Sequence, residues 1–244
     1  MLNKELALKY LSIIMKDKSE KIENINKFYL EAFPFEDKKT DTQGFLVIIE
    51  KELMIYFRGT EVEKKQDWIT DIKCNQLVYP YNNVNSKIKV HNGFITAYKS
   101  VRGYVHNFIK MNRNNIEKIT VLGHSLGGAL AILCSIDIQY NFSEYSKELF
   151  VYTYGAPKVG NKEFVESYNK RMLNKNRIYL RNDVVPKLPP LTNYKHVGIS
   201  YAIGPWNPII GIINLIKRKF KADCLAADLF NHSNELYEKY LKKR

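Results

Sequence analysis

The chain has 244 residues, of which 45% are hydrophobic and 26% are charged, and its formal net charge at pH 7 is +13. These values are ordinary for a globular protein, and no stretch reaches the ~18 apolar residues expected of a membrane span. Lysines are spread over the whole chain and no nucleic-acid-binding motif accompanies them, so we expect no specific nucleic-acid partner. We expect a single domain over residues 1–244.

The start of the chain and its cysteines bear on localisation. Residues 1–20 place apolar residues at helical spacing among charges, without the apolar core and cleavage site of a secretory signal. The three cysteines (Cys74, Cys134 and Cys224) are widely spaced and form no CxxC pair. This pattern argues against a disulfide framework and a zinc site, and is typical of a reducing compartment. We therefore expect a cytoplasmic protein.

The predicted elements follow in chain order. Residues 4–32 predict two helices, so residues 1–35 are expected to form an N-terminal helical part packed on the domain. The β-rich runs GFLVIIE and LMIYFRGT predict a hairpin. From Ser86 onward, β-rich runs alternate with helical patterns, and NELYEKYLKK predicts the last helix. The alternation predicts an α/β fold with a mainly parallel central sheet flanked by helices, whose ligand sites lie at the carboxyl ends of strands.

The sharpest motif is Gly-His-Ser-Leu-Gly at residues 123–127, between the apolar run KITVL and the helical pattern ALAILCSI. A strand, a tight turn and a helix in this order lift a serine hydroxyl above the sheet. Glycines two positions either side of Ser125 avoid crowding of the neighbouring backbone. Ser125 is therefore predicted to be a nucleophile, although a plain helix-capping serine is the alternative.

A serine nucleophile needs a base and an orienting carboxylate. Asp183 lies in RNDVVP just after a predicted strand and is the preferred acid, with Asp228 as its competitor. His196 and His232 are the histidines that follow Asp183 in the chain. His232 is preferred as the base because it precedes the last helix in a loop, whereas His196 is expected to begin a strand.

The tetrahedral intermediate of an acyl transfer needs two hydrogen-bond donors aimed at its oxygen. The backbone N–H of Leu126 is the first candidate because it follows the nucleophile. Thr60, at the end of YFRGT, is the second, since both its N–H and its hydroxyl could donate. No metal or cofactor is required for this chemistry.

Together these stretches resemble the class 3 lipases, the α/β-hydrolase branch that contains the fungal triacylglycerol lipases. The resemblance runs over roughly residues 40–240 and is carried by FRGT, DWITDI, VHNGFITAY, VLGHSLGGALA, YTYGAPKVGN, RNDVVPKLPP, YKHVG and NHSNELY. It implies an α/β-hydrolase fold with Ser125, Asp183 and His232 as the catalytic triad and with Thr60 and Leu126 as oxyanion donors. It also implies that YGAPKVGN is a structural segment beside the acid.

The resemblance further implies that EVEKKQDWITDI, after Thr60, is a lid in which Trp68 makes an apolar contact. This segment is strongly charged rather than amphipathic, which favours small or dispersed esters over bulk fat. A second unusual segment, PWNPIIGIINLI, contains Trp206 and precedes the basic run KRKFK at residues 217–221. An apolar stretch beside lysines could rest on anionic lipid or could line the acyl pocket.

The function predicted from these residues is hydrolysis of the acyl esters of lipids, such as acylglycerols, through an acyl-enzyme intermediate. A phospholipase A1-type activity at anionic membranes and a non-catalytic lipid-binding module are the alternatives. Lipid esters are the expected substrates, with peripheral contact to an anionic membrane. The sequence indicates neither the acyl chain length nor the oligomeric state.

Overall fold

A computed structural model describes residues 2–19, 32–59, 75–78, 87–205 and 232–243. Five α-helices lie in these ranges: α1 Lys4–Ser19, α2 Asn92–Met111, α3 Leu126–Asn141, α4 Lys162–Arg171 and α5 Asn234–Lys243. The strands are β1 Phe33–Asp37, β2 Thr42–Ile49, β3 Glu52–Phe57, β4 Gln76–Val78, β5 Lys89–His91, β6 Lys118–His124, β7 Leu149–Tyr154, β8 Asn174–Leu180 and β9 Ile199–Ile203.

The central sheet has the strand order β1-β2-β3-β6-β7-β8-β9. Strands β3, β6, β7, β8 and β9 run parallel, whereas β1 and β2 are antiparallel additions at one edge. Strands β4 and β5 form a separate antiparallel pair. The predicted α/β fold and mainly parallel sheet are confirmed, as is the hairpin of β2 and β3. Its two turn residues, Glu50 and Lys51, both have positive φ angles of 51° and 63°, as a tight hairpin turn of type I′ requires.

Both faces of the sheet are covered, which explains why its central strands read as continuous apolar runs. One hydrophobic cluster packs α2, α3 and α4 against one face, and the other packs α1 and α5 against the opposite face. Helix α3 is buried over most of its length because it lies directly against β6 and β7. Packing on both faces therefore holds the sheet in place, and with it the residues at the carboxyl edge of the sheet.

Helices α2 and α3 are also joined by a buried polar cluster around Asp137 of α3. Tyr98, Arg102 and His106 follow one another at intervals of four residues and so lie on one face of α2. The Asp137 carboxylate is fully buried. One of its oxygens accepts hydrogen bonds from the Tyr98 hydroxyl and from Arg102 Nε, the latter at 2.9 Å. The same oxygen lies 2.6 Å from His106 Nε2. Asn141 donates to the second oxygen at 2.7 Å.

The N-terminal part differs from the prediction. Helix α1 is confirmed, and the predicted second helix lies outside the described residues. The expected helical part over residues 1–35 is wrong at its end, because residues 33–35 belong to the edge strand β1. Pro34 is tolerated there because an edge strand leaves backbone N–H positions without a ladder partner. Within the described ranges, no helix is both long enough and apolar enough to cross a membrane.

Candidate active site

Ser125 lies in the turn between β6 and α3, with φ 59° and ψ −131°. A non-glycine residue in such a backbone region stores about 1–3 kcal/mol of strain. The flanking glycines allow the turn: a Cβ atom added to Gly123 would lie 2.1 Å from the carbonyl oxygen of Gly127, and one added to Gly127 would lie 2.1 Å from that of Phe57. The predicted sharp strand-to-helix turn is thus confirmed, with glycine required on both sides.

The Ser125 side chain does not cap α3, because it forms no hydrogen bond with the first turn of the helix. Its hydroxyl is buried and has no hydrogen-bond partner among the residues that the structure describes. Its backbone N–H donates to the carbonyl oxygen of Tyr154 at 2.9 Å, which ties the turn to the end of β7. A buried hydroxyl held in a strained turn without a structural bond favours a chemical role over a capping role.

Asp183 and His232 form a buried pair although 49 positions separate them in the chain. His232 Nδ1 and Asp183 Oδ2 are 2.7 Å apart. A carboxylate only accepts, so Nδ1 carries the proton and Nε2 is left as the basic nitrogen. The other carboxylate oxygen, Oδ1, accepts the backbone N–H of Val185 at 2.9 Å. Asp183 therefore holds its own turn with one oxygen and the imidazole with the other.

Tyr237 is a member of this site that the sequence analysis did not identify. It lies on α5, is fully buried, and donates its hydroxyl hydrogen to Asp183 Oδ2 at 2.7 Å while accepting the backbone N–H of Leu180 at 3.1 Å. Burial, followed by the charge of Asp183, raises the pKa of Tyr237 well above its usual value. Tyr237 thus remains a neutral donor that orients the carboxylate. In the sequence it reads as the apolar face of an amphipathic helix, although a buried tyrosine hydroxyl needs a polar partner.

The His232 ring reaches the serine turn from the side of β7. Its centroid lies 4.4 Å from that of His124, and the two rings are stacked at 28°. A Cβ atom added to Gly155, the residue after Tyr154, would lie 2.7 Å from His232 Cε1. The imidazole therefore lies against His124, which precedes Ser125, and against Gly155, which follows the hydrogen-bond partner of the Ser125 backbone. His124, the residue before Ser125, thus packs on the ring of His232.

The loop that follows β3 borders the other side of the serine. A Cβ atom added to Gly59 would lie 2.8 Å from the carbonyl oxygen of His124 and 3.3 Å from Ser125 Cβ. Leu126 is the first residue of α3, so its backbone N–H belongs to the helix terminus beside the serine. The backbone segment that precedes Thr60 thus approaches Ser125 closely.

Several predicted residues lie outside the described part of the chain: Thr60, Trp68, Trp206 and Asp228, together with the basic run at residues 217–221. The competing base, His196, is engaged elsewhere, since its Nε2 lies 2.6 Å from the carbonyl oxygen of Pro186. It precedes a strand rather than beginning it, because β9 starts at Ile199. Burial, and then the charge of Arg177, lower the pKa of His196 to about 3.

The profile of the family described as Lipase (class 3) matches residues 54–193. A lipase of Rhizomucor miehei is 34% identical over 163 residues, an alignment that covers 65% of this chain and 44% of the relative. A chloroplastic phospholipase A1-Igamma2 of Arabidopsis thaliana is 33% identical over 186 residues, covering 64% of this chain and 35% of that protein. The chain thus spans less than half the length of these curated relatives.

Among solved structures, the chain is similar to a triacylglycerol lipase whose catalytic centre is formed by a serine protease triad. The TM-score is 0.73 at 27% sequence identity, and the match covers 85% of this chain and 83% of the other. The similarity covers more of the chain than the profile match does. With the profile matching more than half of its residues, the chain belongs to the class 3 lipase family.

Proposed function

We propose that this chain is a serine hydrolase that cleaves the carboxylic esters of lipids, acylglycerols above all. The observation that carries the proposal is the buried Asp183–His232 pair, which lies beside the strained turn of Ser125. The lipase relatives support the same reaction class. A serine nucleophile is activated by a base that a third group orients, and a strained strand-to-helix turn is typical of such a serine in α/β-hydrolases.

In the proposed reaction, His232 Nε2 takes the proton of Ser125 as the oxygen attacks the ester carbonyl. Asp183 stabilises the imidazolium that forms, and Tyr237 keeps the carboxylate oriented. The imidazolium then donates its proton to the leaving alcohol. The acyl group remains bound to Ser125 as an ester. Water, activated by the same imidazole, releases the fatty acid and restores the serine.

The negative charge that develops on the carbonyl oxygen needs two donors. We assign the backbone N–H of Leu126 as one of them, because it begins the helix next to the nucleophile. We assign Thr60 as the other, because the loop at Gly59 approaches Ser125. We retain Trp68 and Trp206 as the candidate residues for contact with the acyl chain.

Substitution Ser125→Ala tests the proposal. It should lower kcat for p-nitrophenyl esters roughly a millionfold, since the triad acts as a unit. The exposed Ser143→Ala serves as the matched control and should retain full activity. A fluorophosphonate probe should label the wild-type protein and the control but not Ser125→Ala. Turnover of the Ser125→Ala protein within tenfold of wild type would overturn the mechanism, and absence of labelling in the wild type would favour the non-catalytic lipid-binding alternative.

A phospholipase A1-type activity is the second candidate, favoured by the Arabidopsis relative and by the net charge of +13. The two candidates differ in the leaving alcohol, which is the glycerol hydroxyl of a glyceride in one and the glycerol hydroxyl of a lysophospholipid in the other. Comparison of fatty-acid release from monoacylglycerol, diacylglycerol, phosphatidylcholine and phosphatidylglycerol separates them. Preferential release from phosphatidylglycerol would assign the phospholipase activity.

We further propose that the protein acts in the cytoplasm and contacts anionic membranes peripherally. The supporting observations are the basic composition and the buried free thiol of Cys134; Cys74 and Cys224 lie outside the described residues. Cell fractionation with a salt wash tests both points. Recovery only in the culture medium would contradict the localisation, and release from membranes by salt would support an electrostatic contact.

A further inference from the structure

A basic groove of about 590 Å³ lies on the surface between the β4–β5 pair, the start of α4 and the segment that precedes β9. Among its described lining residues, Glu163 is acidic and four are lysines: Lys87, Lys89, Lys162 and Lys195. We call it the lysine groove. Positive charge gathered around a concavity concentrates the electrostatic field there and attracts anions.

The backbone beneath these lysines is tied together by one side chain. Asn161 donates to the carbonyl oxygen of Lys87 at 2.6 Å and accepts the N–H of Lys89 at 3.0 Å. The same side chain caps α4. The N–H of Lys195 donates to the carbonyl oxygen of Gly160 at 2.8 Å. The three segments are thus held in a defined arrangement, which preorganises the lysine groove for a ligand.

Phosphate has the chemistry that suits this groove. It carries the negative charge that lysine ammonium groups bind, and its oxygens accept their hydrogen bonds.

Exposed apolar side chains stand at the rim of the groove. Val78 of β4 is 50% exposed and is paired with the lining residue Lys89 across the two strands. Leu191, which is 44% exposed, directly precedes the lining residue Thr192. Lysines beside exposed apolar residues are typical of surfaces that lie on anionic lipid, whereas a soluble phosphate would use only the lysines.

The groove also lies near the candidate active site along the chain. The connection from β7 to α4 begins at Gly155, against the Asp183–His232 pair, and reaches the groove at Asn161. The groove is therefore joined to the candidate active site by one short connection of the chain. We propose that the lysine groove binds the phosphate head group of an anionic phospholipid, with its apolar rim in contact with the lipid surface. The inference rests on the membrane contact proposed above and names its surface, but it does not depend on ester hydrolysis.

Vesicle flotation of the full chain tests the inference. The protein is mixed with vesicles of phosphatidylcholine alone or of phosphatidylcholine with phosphatidylglycerol, and the bound fraction is measured. The variant Lys89→Gln/Lys195→Gln should weaken binding to the anionic vesicles by about 30-fold, given the usual contribution of each lysine at such a surface. The matched control Lys99→Gln/Lys110→Gln removes the same charge from exposed positions on α2 and should bind within threefold of wild type.

Equal weakening of vesicle binding in the two variants would overturn the assignment of the groove as the binding site, because binding would then depend only on net charge. Titration with inorganic phosphate provides the second arm. If phosphate binds the wild type without vesicles and no protein floats with anionic vesicles, the groove binds a soluble anion. That result would overturn the proposal that it binds a phospholipid. Hydrolysis of a soluble p-nitrophenyl ester should be unchanged in both variants, so a failure of the groove and a failure of the proposed catalysis can be told apart.

Discussion

Substitution of Gly155 by alanine is the most direct structural test of the candidate active site. Gly155 has φ +61°, and an added Cβ atom would lie 2.7 Å from His232 Cε1, 2.8 Å from the Tyr237 hydroxyl and 2.9 Å from Asp183 Oδ2. Non-bonded heavy atoms rest at about 3.5–4.0 Å, so each of the three groups would have to move. One methyl group would thereby disturb His232, Asp183 and Tyr237 at once.

The expected loss has two parts. A left-handed backbone costs a residue with a Cβ about 1–2 kcal/mol, and overpacking of a buried site adds about 1–3 kcal/mol. We therefore expect Gly155→Ala to lower the free energy of unfolding by about 2–5 kcal/mol. A displacement of the catalytic pair approaching 1 Å should also lower kcat by about 100-fold in the protein that remains folded.

The variant Gly198→Ala is the control for backbone strain. Gly198 has φ +84°, but the atom nearest to an added Cβ would be the carbonyl oxygen of Lys175 at 3.1 Å, away from the candidate triad. Urea unfolding measures stability, and p-nitrophenyl ester turnover per folded molecule measures catalysis. Both variants should lose stability, but only Gly155→Ala should lose kcat. A folded Gly155→Ala protein with wild-type kcat would refute the assignment of the three groups.

Three further predictions follow from side chains described above. Tyr237→Phe removes the hydroxyl from Asp183 and should lower kcat about tenfold with little change in KM, and stability by about 1–2 kcal/mol; an unchanged kcat would contradict the orienting role. Asp137→Asn should lower the free energy of unfolding by about 3 kcal/mol in urea titrations while turnover per folded molecule is retained, because it unbalances a buried ionic cluster. Because the pKa of His196 is about 3 when folded and near 6.5 when unfolded, the unfolded chain binds the extra proton. Stability should then fall as pH drops from about 6.5 towards 3, by up to ~1.4 kcal/mol per pH unit from this group, and the slope should flatten in His196→Gln.

Local patterns accounted for the elements that position the site. The apolar run before Gly123 and the glycines around Ser125 predicted the turn from β6 to α3 because strand, turn and helix chemistry are all encoded within about fifteen residues. The preference for Asp183 and His232 came from chain order and loop position. The structure brings these two side chains into hydrogen-bond contact, while the catalytic roles of the residues remain predictions.

Other features depend on packing between distant segments and left no local signal. The edge strand β1 contains Pro34 and is short, so its pairing with β2 could be recognised only in three dimensions. Tyr237 has the spacing of an ordinary core residue, and its polar partner lies 54 positions away. The lysine groove joins side chains from separate segments, and its lysines cannot be distinguished in sequence from the many others on the surface.

The packing of α1 against α5 has a consequence for how activity depends on the rest of the molecule. Tyr154 donates its hydroxyl hydrogen to the carbonyl oxygen of Ala7 at 2.5 Å, and Lys4 reaches the carbonyl oxygen of Lys242 at 3.2 Å. The helix that carries Tyr237 and follows His232 is therefore braced by a helix encoded more than two hundred residues earlier. Deletion of α1 would leave every proposed reacting group in the polypeptide and still remove the support of the helix that follows His232, so a version without α1 would be an unsuitable template for engineering.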